Sequence, residues 1–245
     1  MQTFNQYRNQ RGTVMVYILV AIGLFSALTY AISSGNRTNT SAITEQQASL
    51  AAQEMIEYAS SVATAVQKLK LRGFEEYELD FSNNVYKLTD DTPFPAANSS
   101  CTSSACRIFD VNGGGLEAVY APDHAHISAS SLPGGTGSTS GQGNFRSNYV
   151  QGVGSTAPDL VFEYTYISPV VCKKINELLG IDNPSDAPPV DTYDQQNYSG
   201  NLTTFPLPPG PDVIGDSATG LAGKTAFCLT TDGTYFNFKQ VILTR

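Results

Sequence analysis

The residues with most chemistry to offer are four cysteines: Cys101, Cys106, Cys172 and Cys228. An even set suits two disulfides if this part of the chain lies in an oxidising compartment. Three pairings are open. Cys101–Cys106 would close the tight polar loop Cys-Thr-Ser-Ser-Ala-Cys, and Cys172–Cys228 would tie an expected helix to an expected strand, so this pairing is favoured. Loop-closure entropy assigns about 4 kcal/mol to the long bridge and about 2 kcal/mol to the short one. Zinc competes poorly, because the chain has no Cys-x-x-Cys and only two histidines.

Those histidines sit together in Asp123-His124-Ala125-His126. His-x-His beside an acid can hold a transition metal, but the local Pro and Asp point to an exposed loop. Asp182, Asn183 and Asp186, continuing to Asp191 and Asp194, offer oxygen ligands of the kind calcium takes. Their spacing does not match an EF-hand, and Asp and Asn also build ordinary turns. Calcium is the one ion this set could take, and no other cofactor is expected. Ala222-Gly-Lys-Thr225 imitates the end of a phosphate-binding loop, yet position 218 is Ala instead of Gly and the residues that follow read as strand. No Ser-His-Asp or Cys-His arrangement can be built, so no enzymatic activity is expected.

The element that must position everything else lies upstream. Between Arg11 and Arg37 the chain runs 25 residues without a charge. Residues 13–32 are mostly apolar, and as a helix they would span about 30 Å, one hydrocarbon core. Arg8 and Arg11 precede the run and no acid occurs before Glu45, which places the N-terminus in the cytoplasm and the rest outside. The run is long for a secretory signal. Gly23, Ser26, Ala27 and Ala31 are small enough to let helices approach closely.

A second helical pattern follows. Ala48, Ala52, Met55, Ala59, Val62, Val66 and Leu69 alternate spacings of four and three, a single stripe along a helix. Lys68, Lys70 and Arg72 crowd its last turns and Gly73 stops it. The two patterns suggest one rod of about 60 residues, weakest at Ser33-Ser34-Gly35-Asn36, where helix propensity is poor.

Arg11-Gly12, then Thr13-Val-Met-Val-Tyr17, then the apolar run and the stripe resemble the N-terminal region of the type IV pilin and pseudopilin superfamily. The resemblance covers residues 1 to about 72. It implies a leader over residues 1–12, cut after Gly12 by a membrane-bound prepilin peptidase, with methylation of the new amine on Thr13. Two departures stand out: Thr13 replaces the usual large apolar first residue, and Tyr17 replaces the usual Glu at the fifth mature position. That Glu neutralises a neighbouring subunit's amine inside an apolar filament core, where an unpaired charge is expensive. A subunit carrying Tyr17 suits a tip or minor position.

The remaining chain reads as one α+β head. Net charge is −8, and three of the basic residues lie before residue 38, so the exported part is more acidic still. That excludes a nucleic-acid surface. Residues 106–120 read as a hairpin around Asn112-Gly-Gly-Gly115, and 128–157, rich in Gly, Ser and Thr, as a long surface loop. Asp159–Ile167 reads as the clearest strand. Ser168-Pro169 caps a helix that ends at Gly180. Residues 181–223 read as a Pro/Asp-rich loop and 225–243 as a hairpin turning at Asp232-Gly233.

The expected architecture is a long N-terminal helix, membrane half 13–37 and amphipathic half 38–72, packed on an antiparallel sheet within the head 73–245. The expected function is that of a minor pilin or pseudopilin subunit in a type IV pilus or type II secretion filament. Before assembly it would be a single-pass inner-membrane protein with its head periplasmic or extracellular. Its partners would be other such subunits, the peptidase and the membrane. The competing expectation is an anchored extracytoplasmic binding module that does not polymerise.

Overall fold

The computed structural model describes residues 16–26, 44–88, 93–127, 140–202 and 212–245. The chain divides into two units, Met1–Thr44 and Glu45–Arg245. In the first, residues 16–26 are helical (α1), and Val16, Ile18, Leu19, Ile22 and Leu24 are exposed on it. Among the described residues no helix is long and apolar enough to cross a membrane. Residues 27–43, with the expected weak point at 33–36, lie outside the described residues.

The second unit starts with α2, Glu45–Leu71. All seven stripe residues are buried on it, joined by Ala51 and Ala65. The small residues at 48, 51, 52 and 59 let the helix sit close to what it covers, while Met55, Val62, Val66 and Leu69 supply apolar bulk, each contributing about 1.5–3 kcal/mol. The helix ends as the sequence suggests: Arg72 N–H still reaches the Lys68 carbonyl (3.2 Å), and Gly73 then takes φ +93°. A left-handed residue there costs Gly little and other residues more.

Five strands form one antiparallel sheet: β1 Gly143–Asn148, β2 Asp159–Ile167, β3 Gln195–Asn197, β4 Ala226–Thr230 and β5 Phe236–Leu243. Their order is β3-β1-β2-β5-β4. The longest strand, β2, is central, flanked by β1 with Phe145 opposite Phe162, and by β5 with Lys239 opposite Glu163. Successive side chains on a strand face opposite ways. Phe162 therefore points to one side, where Tyr58 of α2 meets it edge-on (5.8 Å between ring centres). Val161 points to the other and joins a core with Val150, Ile181, Ile214, Leu221, Phe227 and Val241.

On the helical side, α3 (Pro169–Leu178) lies beside α2. Ser168 Oγ accepts the Val171 N–H (3.3 Å), Pro169 opens the helix, and Gly180 follows it at φ +65°, each as expected. The disulfide Cys172–Cys228 bolts α3 to β4, and Cys101–Cys106 closes a short loop, so the favoured pairing is the one present. The hairpin expected at 225–243 is β4–β5.

Three loop and hairpin readings need correction. Residues 106–120 form no hairpin ladder. Arg107 instead bridges Asp80, and residues 108–114 coil back so tightly that a Cβ on Gly113 would strike the Arg107 carbonyl. The stretch 128–157 is not all loop, since β1 lies within it. Its polar sequence hid it, because the inward face of β1 carries Asn144, Arg146 and Asn148, not apolar side chains. The Pro/Asp-rich stretch likewise contains the short edge strand β3.

Candidate functional site

The largest concentration of buried, chemically capable side chains lies on the loop-covered side of the sheet. Glu163 stands at the middle of the central strand. Arg146 of β1 approaches from one side, Nε 3.0 Å from Oε2, and Lys239 of β5 from the other, Nζ 2.8 Å from Oε1. The Lys239 and Glu163 side chains are 0% and 1% exposed, and Arg146 15%. The register explains the meeting: Lys239 is directly opposite Glu163, and Arg146 is opposite its neighbour Val161 but on the same face.

Lys239 has further partners. Nζ donates to Gln195 Oε1 (3.1 Å) and to Asn148 Oδ1 (3.3 Å), and lies 4.4 Å from the centre of the Tyr193 ring. Asn148 is itself held, its Nδ2 donating to the Asp194 carbonyl (2.9 Å). Tyr193 OH accepts from Asn237 Nδ2 (3.2 Å). Every strand of the sheet but β4 thus sends a polar group into one cluster with a buried centre.

Burial dictates the electrostatics. It lowers the Lys239 pKa, since an ammonium out of water is disfavoured, although Glu163 pulls the other way. Burial pushes the Glu163 carboxyl up, but the Lys239 and Arg146 charges outweigh it and leave it lowered. Tyr193 is pushed up by burial and by the Glu163 charge. At the near end of β2, Asp159 accepts the Arg245 N–H (3.0 Å), yet burial raises it to about 6.

On the helical side three tyrosine hydroxyls converge on residues 117–119. Tyr58 donates to the Glu117 carbonyl (2.8 Å), and Tyr86 (2.6 Å) and Tyr164 (2.9 Å) both donate to the Val119 carbonyl. This fixes α2 against the chain that returns over it. Beyond lies an open cleft of about 790 Å³, walled by Asn83, Val85, Pro95, Arg107, Phe109 and Glu117 among others. Arg107 leans across it toward buried Asp80 (3.5 Å).

The residues singled out from sequence are scattered. Gly12 and Thr13 lie outside the described residues, and Tyr17 is exposed on α1. Asp182 is exposed; Asn183 takes a hydrogen bond from Asn176 (3.0 Å) and gives one to the Lys173 carbonyl (3.1 Å); Asp186 is ion-paired with Lys173. Helix α3 therefore engages two of the three candidate calcium ligands. His126 Nδ1 lies 2.9 Å from Ser140 Oγ, and His124 is exposed. Among the described residues no three His, Cys, Asp or Glu are gathered to hold a metal ion.

Sequence reasoning missed the buried ionic cluster. Its members come from segments as far apart as Arg146 and Lys239, and no spacing rule reaches so far. A signal was present nonetheless: Glu163 and Lys239 each lie mid-way along a mostly apolar strand, and a charge there needs a partner.

No family model, no curated protein and no solved structure matches this chain.

Proposed function

We propose that this chain is a minor pilin- or pseudopilin-like structural subunit, assembled by helix packing after its leader is removed. The observation that carries the reading is an order of parts. A basic, Gly-ended start and 25 uncharged residues precede a helix whose apolar stripe is fully used against its own head. The stripe of α2 is spent within the subunit. The apolar side chains of residues 16–26 are not, and apolar surface of that kind is covered by lipid or by neighbouring helices. Two disulfides in the head suit an oxidising compartment.

The test is co-expression with a prepilin peptidase, followed by mass spectrometry of the N-terminus. The expected product begins at methylated Thr13. An intact start, or one near Ser34, overturns the proposal. The second reading, an anchored binding module that does not polymerise, draws on the open cleft beside Phe109 and Arg107, and an uncut N-terminus would favour it.

A further inference from the structure

The buried cluster has the composition of a reaction, not only of an ion pair. A primary amine, a carboxamide and a carboxylate share one buried space. Lys239 Nζ is 3.3 Å from the Asn148 carboxamide oxygen and 2.8 Å from a Glu163 oxygen. Lys239, Asn148 and Glu163 are all fully buried. We propose that Lys239 and Asn148 become joined by an amide bond between their side chains, with Glu163 carrying the proton.

The chemistry balances without an oxidant or co-reactant. Glu163 takes a proton from the Lys239 ammonium, turning the ion pair into a neutral amine beside a carboxylic acid. The freed lone pair on Nζ adds to Asn148 Cγ, and the carbonyl electrons move onto Oδ1. As they return, the Cγ–Nδ2 bond breaks. Glu163 returns its proton to the departing nitrogen, then takes the second proton from Nζ and passes it to the released ammonia, so the products are a neutral amide N–H and one ammonium, with Glu163 again a carboxylate. Two features favour this course. Burial lowers the proton affinity of Lys239, so the nucleophilic amine is accessible. Fixing amine and carboxamide on β5 and β1, the two strands that flank β2, makes the attack intramolecular, worth several orders of magnitude in effective concentration.

Gln195 also touches Nζ, at 3.1 Å, but it lies on the exposed edge strand β3, whereas Asn148 is closed off from water. Asn148 is also aimed, because the Asp194 carbonyl holds Nδ2, the atom that must leave. The bond would run from β1 across β2 to β5, tying the C-terminal strand to the far side of the sheet.

The test is mass spectrometry of the purified chain with its disulfides reduced. Reduction is needed because Cys172–Cys228 joins the same two tryptic peptides, 147–173 and 225–245. The expected protein is lighter than its sequence by one ammonia, about 17 Da. After trypsin the two peptides stay joined, with no cleavage after Lys239. Joined peptides decide the matter, since an asparagine closing on its own backbone also loses ammonia. Lys239→Arg and Glu163→Gln should both restore the full mass. An unshifted wild-type mass with free peptide 225–239 overturns the proposal, and that measurement does not depend on any variant folding. Fragmentation that places the joint on Gln195 overturns the assignment to Asn148.

Discussion

The two sides of this sheet are solved by different physics. On one side α2 and α3 cover the sheet where Phe162, Tyr164 and Phe238 lie, and ring-to-ring packing continues from Phe162 through Phe145 to Phe81 (4.0 Å from Phe145). On the other, loops 149–157, 181–194 and 212–224 cover a mixed surface. There an apolar core around Phe227 and Val241 adjoins the Arg146–Glu163–Lys239 cluster. Helices bring their backbone hydrogen bonds with them, so their cover can be purely apolar. Loops must find partners for their backbone groups. Here they do so with one another, as in Gln151 N–H to the Ile214 carbonyl (2.8 Å) and Gly223 N–H to the Gln151 carbonyl (2.7 Å). Polar cover and polar sheet surface go together.

Neighbouring residues on β2 test the contrast. Phe162→Ala removes a ring from the helical side and leaves a cavity, expected to cost about 3–5 kcal/mol. Glu163→Gln, one position on, strands Lys239 and Arg146 without a counter-charge, also about 3–5 kcal/mol. The two losses should be told apart by rescue. Adding Lys239→Met to Glu163→Gln should recover part of the stability, because one stranded charge is gone, while it does nothing for Phe162→Ala beyond an additive loss. Urea denaturation of these four variants and of Lys239→Met alone measures this. Equal, additive behaviour on both sides would erase the distinction.

A smaller effect probes the loop cover alone. Gly154 has φ +60°, and a Cβ there would strike the Arg245 carbonyl. Its neighbour Ser155 donates its N–H to that same carbonyl. Gly154→Ala should cost about 2 kcal/mol, from backbone strain and the lost close approach. Hydrogen exchange should show the loss confined to the loops and the end of β5, with α2 still protected. Loosening of α2 to the same extent would mean the two covers are one cooperative unit.

What could be read from sequence followed the same division. The helical side was legible because periodicity reports it: the stripe of α2, the Ser168-Pro169 cap of α3, and the aromatic alternation of β2 all obey local rules. The loop side was not. Strand β1, Gly-Asn-Phe-Arg-Ser-Asn, carries one apolar residue and passed for loop, since the reason for its inward Asn and Arg lies on β2 and β5. The apparent hairpin at 106–120 erred the other way. Ile108 and Phe109 look strand-like, but Gly113 and Gly114 fold the chain back onto Arg107 and Ile108 before a ladder can start. The favoured cysteine pairing was legible because Cys101–Cys106 closes a short polar loop and Cys172–Cys228 ties the expected helix to the expected C-terminal strand.

The smallest effect is the one that depends most on pH. Asp159 starts β2 on the loop side, opposite Asn148 in register, with Oδ1 accepting from Arg245 N–H. Among the described residues its buried Oδ2 has no hydrogen-bond partner. Its folded-state pKa of about 6 lies above its ordinary value of 3.8, so the fold prefers the protonated form. An acid shifted upward costs stability as it ionises: the cost is absent below about pH 4, grows as pH rises, and is complete above about pH 6. Asp159→Asn keeps the acceptor for Arg245 and removes the charge, but it buries an NH₂ group where Oδ2 was, at about 1–2 kcal/mol. The variant should therefore be less stable than wild type at pH 4 and more stable by about 1 kcal/mol at pH 7, crossing in between. Melting curves across that range measure it. No helical-side substitution, Phe162→Ala included, should show such a crossing, because no titrating carboxylate is removed there. A variant that tracks wild type at constant offset would mean that Asp159 ionises as freely in the fold as outside it, and the loop side would lose its claim to be the pH-sensitive one.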